Sequence, residues 1–237
     1  MKDQNAVSLA YTMRSHVMTS AAASLSIDII SDVVCPWCYI GKRRLESALA
    51  LRGGGAQATT RWLAFQLNPD IPSEGVDRRS YLEQKFGGPE RAREIYARIE
   101  AAGQEVGIAF NFERIKRQPN TVDAHRLLAW AQDADPVAAD SLVERLFRAY
   151  FIGGIDIGHL DALATLACEA GFDAVAARAW LASDAGRTAI KAEEQRTRAL
   201  GVSGVPFFVF NQRLAVSGAQ PPEVLLDAME QAEAVVE

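Results

Sequence analysis

Cysteine is scarce in this chain of 237 residues, with three in all, and the two that lie close together cannot cross-link distant elements. A disulfide-stapled framework is therefore excluded as a source of stability. No run approaches the roughly 18 consecutive apolar residues that a membrane span requires, which argues against a membrane protein. Positive charge is not in excess either. With 25 Lys and Arg against 30 Asp and Glu, the net charge is −5, so no general attraction to nucleic acid or anionic lipid is implied. There is no second C-x-x-C and no H-x-x-x-H, and Cys168, His16, His125 and His159 are scattered, so no four-ligand zinc site is expected and no metal is assigned. The first 24 residues lack a secretory h-region, since Arg14 and His16 interrupt it. They read as a disordered extension, with Met13 and Met18 as alternative starts, and the expected compartment is the reducing cytoplasm.

The stretch that carries most information is Cys35-Pro36-Trp37-Cys38. It joins a β-branched, apolar run to the start of a helix. A thiol at a helix N-terminus meets unpaired backbone N–H groups and the positive end of the helix dipole, which favours its thiolate and makes Cys35 the expected nucleophile. Pro36 falls at the first helical position, where its missing N–H costs no hydrogen bond. Pro36 and Trp37 contribute no charge. Cys38 follows nearly one turn later on the same face, within reach of Cys35 for a disulfide, and deeper. Lys42, Arg43 and Arg44 read as a solvated face with a Lys42–Glu46 pair.

The length suffices for one large domain or for a small domain with a big insertion. Ser26–Ile30 reads as a strand, residues 35–51 as a helix with Ile40, Leu45, Ala48 and Leu49 inward, and Thr59–Leu67 as a second strand, giving a β-α-β opening with a right-handed crossover. From about Pro72 to Leu200 the periodicity is helical, most clearly in the stripe Leu142, Val143, Leu146, Phe147, Tyr150 and Phe151. Strand character returns at Val205–Phe210 and Arg213–Ser217, and Pro221-Pro222 opens a last helix. The fold class is α/β, with residues 25–70 and 201–237 forming one unit and 71–200 a helical insertion.

Other residues have two readings each. Cys168, in the apolar helix LATLACEAG, reads as a small buried residue. His125 is a surface or capping residue or lines a groove above Cys35. Asn120 is a loop or N-cap residue or contacts a peptide or glutathione. Asp32 serves the loop into the helix or tunes proton transfer from Cys38. Asp28 alternates with Ile27 and Ile29 and is a weak candidate for a buried acid.

Three segments together resemble a known family. They are Ser31–Gly41 (SDVVCPWCYIG), Asn120-Thr121 with Ala124-His125-Arg126, and Gly201–Phe208 (GVSGVPFF) with Ser217–Gln220. They are similar to the DsbA-like oxidoreductases, a thioredoxin-like fold with a large all-helical insertion, and especially to the cytoplasmic FrnE-like branch. The resemblance implies that Pro206 is cis and faces the cysteine pair, and that Val205 offers backbone groups to an extended substrate. It implies a thiol-disulfide oxidoreductase acting on protein or small-molecule disulfides. No permanently bound cofactor is implied, and glutathione or a thioredoxin-type reductant would recycle the pair; a homodimer is compatible with it. Kappa-class glutathione transferases and hydroxychromene-carboxylate isomerases resemble the same layout, but typically carry Ser in place of the first Cys and an Asp-Arg pair where this chain has Ser217–Gln220. They stand as the alternative, a glutathione-dependent isomerase or transferase. A holdase is disfavoured by the intact cysteine pair.

Overall fold

A computed structural model describes residues 25–53 and 58–234. The expectation of a disordered segment over residues 1–24 falls outside them. Strand β1 (Leu25–Ser31) runs parallel to β2 (Ala58–Ala64), and β5 (Phe207–Phe210) lies antiparallel on its other side, followed by β6 (Leu214–Ser217). The sheet order is β2-β1-β5-β6. Between the two halves come a two-stranded ribbon, β3 (Val76–Asp77) with β4 (Arg117–Gln118), and helices α2 (Arg78–Phe86) through α8 (Arg187–Ala199). The ribbon is too short to have left a mark in the sequence. The fold is thus an α/β thioredoxin-like sheet interrupted by a helical insertion.

Period-two alternation in β1 sends Leu25, Ile27 and Ile29 to the main core with Phe208 and Phe210. Ile30 points to the opposite face, beside Phe65 and Val202. Helix α1 (Pro36–Arg52) packs on the main-core side through Tyr39, Ile40, Leu45 and Ala48. Its Leu- and Ala-rich second half suits a helix, and Gly53, at φ 78°, ends it. Arg52 in the last turn pairs with Glu233 of α9 (Pro222–Ala234), tying the first helix to the last.

The insertion docks on α1 beside the cysteines. Tyr39 stacks on Phe147, with centroids 5.0 Å apart, and meets Phe151 and Phe110. The expected apolar stripe is buried throughout, but helix α5 (Pro136–Arg148) gives way to a π-turn over Ala149–Gly153, which carries Tyr150 and Phe151 inward. At the end of the sheet, α4 (Val122–Ala134) and α8 cover the outer edge of β2. Gln132 acts there as a surrogate strand, accepting from Trp62 N at 2.6 Å and donating to Trp62 O at 3.0 Å. Glu193 and Glu194 accept from Ala64 N and Gln66 N. The outward amides of Trp62, Ala64 and Gln66 thus have side-chain acceptors in place of a neighbouring strand.

Two expectations are corrected. Cys168 lies on the exposed face of α6 (Leu160–Glu169), not in the core, because it shares a stripe with Asp161 and Thr165 at i, i+4 and i+7 spacing. Lys42 is buried rather than solvated. It sits four residues after Cys38 and three before Leu45, on the inward stripe of α1, where Glu46, Glu144 and Asp140 surround its ammonium. Tyr39 O–H donates to the same Glu144, at 2.8 Å, and burial together with that carboxylate pushes its phenol up to about 12.

Candidate active site

Asp32, buried at 1% exposure, organises the turn that presents the cysteines. Its carbonyl accepts from Cys35 N at 2.9 Å, and its carboxylate accepts from Leu67 N at 2.8 Å and from Val34 N at 3.4 Å. The β1–α1 turn is thereby clamped to the chain leaving β2. Cys35 then takes the N-cap position of α1 in extended conformation, with no side-chain cap, and Pro36 opens the helix. The Cys35 carbonyl accepts from Cys38 N at 3.0 Å.

Cys35 and Cys38 are both free thiols, and both are largely enclosed. Cys35 keeps 4% exposure and Cys38 1%, so the difference in depth expected between them is small, and Trp37, at 38%, is the exposed member of the motif. Burial pushes the Cys38 thiol well above its ordinary value, and the neighbouring Cys35, by hydrogen bond and by charge, pushes it further. Ionisation of one sulfur therefore opposes ionisation of the other, with Cys38 the one held as thiol.

The Val205–Pro206 peptide bond is cis, and the Val205 carbonyl lies 3.6 Å from Cys35 Sγ, within reach of an S–H donor. Pro206 rests against α1 at Gly41, where a Cβ would stand 2.9 Å from the Pro206 ring and 3.2 Å from Phe208. The glycine is what lets helix and loop approach so closely. Gly41→Ala would gain about 1 kcal/mol of helix propensity but incur about 1–3 kcal/mol of overpacking against a stiff ring. A net loss of stability is expected. A variant with an unchanged melting temperature would show that the contact relaxes without consequence.

The other candidates divide: Asn120 and Asp28 keep a reading expected from the sequence, and His125 does not lie at the surface. Asn120 is half-buried with both ends of its amide engaged by backbone, donating to Ile71 O at 2.6 Å and accepting from Val122 N at 3.0 Å, as a loop and helix-start residue. His125 is neither a surface nor a capping residue. It is buried at 4%, with Nε2 3.6 Å from the Asp32 carboxylate. Asp28 points away from the main core and pairs with Arg61. Two groups that no motif signalled lie near the cysteines on α2. Partial desolvation lowers Lys85, while the charges of Asp32 and Cys35 raise it, and burial with Asp32 raises Tyr81 to about 12. Lys85 donates to Tyr81 and to Asn68 at 2.7 and 3.0 Å.

A paired-cysteine turn at the mouth of a helix, set against a cis-proline loop on a sheet split by a helical insertion, defines a DsbA-like member of the thioredoxin superfamily. The chain belongs to the DSBA-like thioredoxin domain family, which matches residues 26–230. It is similar to a crystal structure described as a probable DsbA oxidoreductase from Streptomyces coelicolor, at 32% identity and TM-score 0.82, over 90% of this chain and 92% of that one. An uncharacterized protein of Bacillus subtilis (strain 168), YwbO, is 25% identical over 210 residues, 87% of this chain and 96% of the relative. A 2-hydroxychromene-2-carboxylate isomerase shares the fold at TM-score 0.66 and 20% identity, over 87% of this chain and 95% of that one. Among the described residues no helix is long and apolar enough to cross a membrane.

Proposed function

We propose that this protein is a thiol-disulfide oxidoreductase, in which Cys35 attacks a substrate disulfide, Cys38 resolves the mixed disulfide, and the Val205–Pro206 edge holds an extended substrate. The observation that carries the reading is the position of Cys35 Sγ, 3.6 Å from the Val205 carbonyl, with Cys38 one turn behind it. Cys35 attacks one substrate sulfur and the other leaves as thiolate; Cys38 then attacks Cys35 Sγ, freeing the reduced substrate and closing the 35–38 disulfide. Because Cys38 is held as thiol, it does not compete with Cys35 in the first step. Cys35 is only 4% exposed, which suits a slender, extended chain or a small disulfide better than a folded surface. In a reducing compartment such as the cytoplasm the pair rests as dithiol, so reduction or isomerisation of substrate disulfides is favoured over net oxidation, with glutathione or a thioredoxin-type protein as the reductant.

The isomerase reading draws on the shared fold alone. Two cysteines in place of Ser-x-x argue for redox chemistry.

Cys38→Ser separates the steps. Incubated with insulin or oxidised glutathione, the variant is expected to accumulate a mixed disulfide at Cys35, visible by intact-mass spectrometry, and to release reduced product at most at a few per cent of the wild-type rate. Undiminished turnover with no adduct would rule out Cys38 as the resolving thiol. Tight, saturable glutathione binding to the Cys35→Ser/Cys38→Ser protein would instead favour the isomerase.

A further inference from the structure

Resolution demands that Cys38 lose a proton, and Cys38 is 1% exposed, so the proton needs a way out. A cavity of about 510 Å³ opens between β2 and α4, with neither Cys35 nor Val205–Pro206 in its lining. Ser31 and His125 line its inner end, both only 4% exposed, and the exposed Arg61 lines it towards solvent. Ser31 Oγ and His125 Nε2 are both buried polar atoms without a hydrogen-bond partner. Such groups are uncommon in a folded interior, and two of them on one cavity mark a place where water and protons are handled. Ser31 Oγ makes no hydrogen bond in the dithiol, and a hydrogen bond from it favours the Cys38 thiolate. The Asp32 carboxylate lies 3.6 Å from His125 Nε2, where it offsets a positive charge arriving on the ring. Asp28, Asp133, Glu193 and Arg61 are the other charged groups on the cavity wall, and they lead outward.

We propose that His125, supported by Asp32, receives the Cys38 proton through Ser31 and passes it to water in the cavity between β2 and α4. This rests on the reading of Cys38 as resolving thiol. In that step the Cys38 Sγ–Cys35 Sγ bond forms and the bond from Cys35 Sγ to the substrate sulfur breaks. The electron pair leaves with the substrate sulfur, which takes a proton from solvent, and the Cys38 proton goes to the imidazole. His125 touches no substrate and is a positioning residue for proton removal. It is supplied by the helical insertion, while both thiols come from the turn and helix of the thioredoxin-like part, so the two parts of the fold meet at this step.

An aromatic disulfide that releases one coloured thiolate on each attack reads the two steps separately. Reaction of the reduced protein gives a first burst from Cys35 and a second from Cys38. His125→Ala is expected to leave the first burst unchanged and to slow the second about tenfold to a hundredfold, at or below the usual range for a positioned proton acceptor because cavity water substitutes in part. Added imidazole, which the enlarged cavity admits, should restore most of the second burst. His125→Gln, which keeps the volume and serves if the alanine variant fails to fold, should be slow and should not respond to imidazole. An unaltered second burst in either variant would overturn the proposal, as would equal slowing of both bursts with no imidazole response. Absence of the second burst from the wild-type protein would instead remove the role of Cys38 itself.

Discussion

Cys35→Ser is expected to abolish disulfide reduction, lowering insulin turnover by roughly three orders of magnitude or more, equivalent to about 4 kcal/mol of barrier. The size follows from chemistry: a serine hydroxyl at neutral pH is a far weaker nucleophile than a thiolate and forms no mixed disulfide. The substitution is nearly isosteric, and the backbone hydrogen bonds of the turn, from Cys35 N to Asp32 O and from Cys38 N to Cys35 O, do not involve the sulfur. The fold should survive with a melting temperature close to that of the parent. Loss of activity with an intact fold is the expected pattern, measured by turnover and thermal denaturation on the same preparation. Retained turnover would take Cys35 out of the mechanism, whatever the geometry around it.

The largest expected effect on stability is at Arg126. This fully buried guanidinium, at 0% exposure, holds α4 to the turn between α7 (Ala174–Ala182) and α8. It donates to the carbonyls of Ala185 at 2.7 Å, Ser183 at 2.6 Å, Trp180 at 3.0 Å and Leu181 at 3.3 Å, and pairs with Asp123. Arg126→Ala takes one donor from each of four carbonyls and a carboxylate, of which Trp180 O keeps Ser183 and Asp123 keeps Arg187, and leaves a hole, so a loss of about 3–5 kcal/mol is expected. For a chain of this length that lowers the melting temperature by roughly 6–20 °C. Arg126→Lys should recover little, because an ammonium cannot reach acceptors fanned around a planar fork. A drop of less than about 1 kcal/mol on denaturant titration would mean that the turn is held by other contacts.

The sheet and the cysteine turn were legible in the sequence because their signals are local. β-branched alternation, Pro36 at a helix start and Gly53 at its end fix β1, α1 and their junction within a residue or two. β2 ends at Ala64, earlier than the apolar pattern through Leu67 suggests, and β5 starts at Phe207 rather than Val205, since Val205–Pro206 belongs to the loop facing Cys35. What misled was side-chain chemistry read without its stripe. A lysine and two arginines in succession suggest a wet surface, yet Lys42 shares the inward row of Cys38 and Leu45. An apolar helix suggests burial, yet Cys168 shares the outward row of Asp161 and Thr165. Helical spacing held the right answer in both cases. The placement of His125 and Arg126 was not available in this way. Both occur in the motif that suggested the family, but what they touch, Asp32 in one case and residues 180–185 in the other, is set by how the insertion folds back.

The surrogate strand formed by Gln132, with Glu193 and Glu194 beside it, bears on self-association. Sheets from separate molecules join by continuing one another's ladder, and unlimited growth needs two open borders on every copy. Here the second half of the β2 border, at Trp62, Ala64 and Gln66, is taken by side chains, and among the described residues the sheet ends on the other side at β6. Joining through the β6 border alone halts at a pair related by a two-fold axis, so the covered half of β2 works against growth into a fibre.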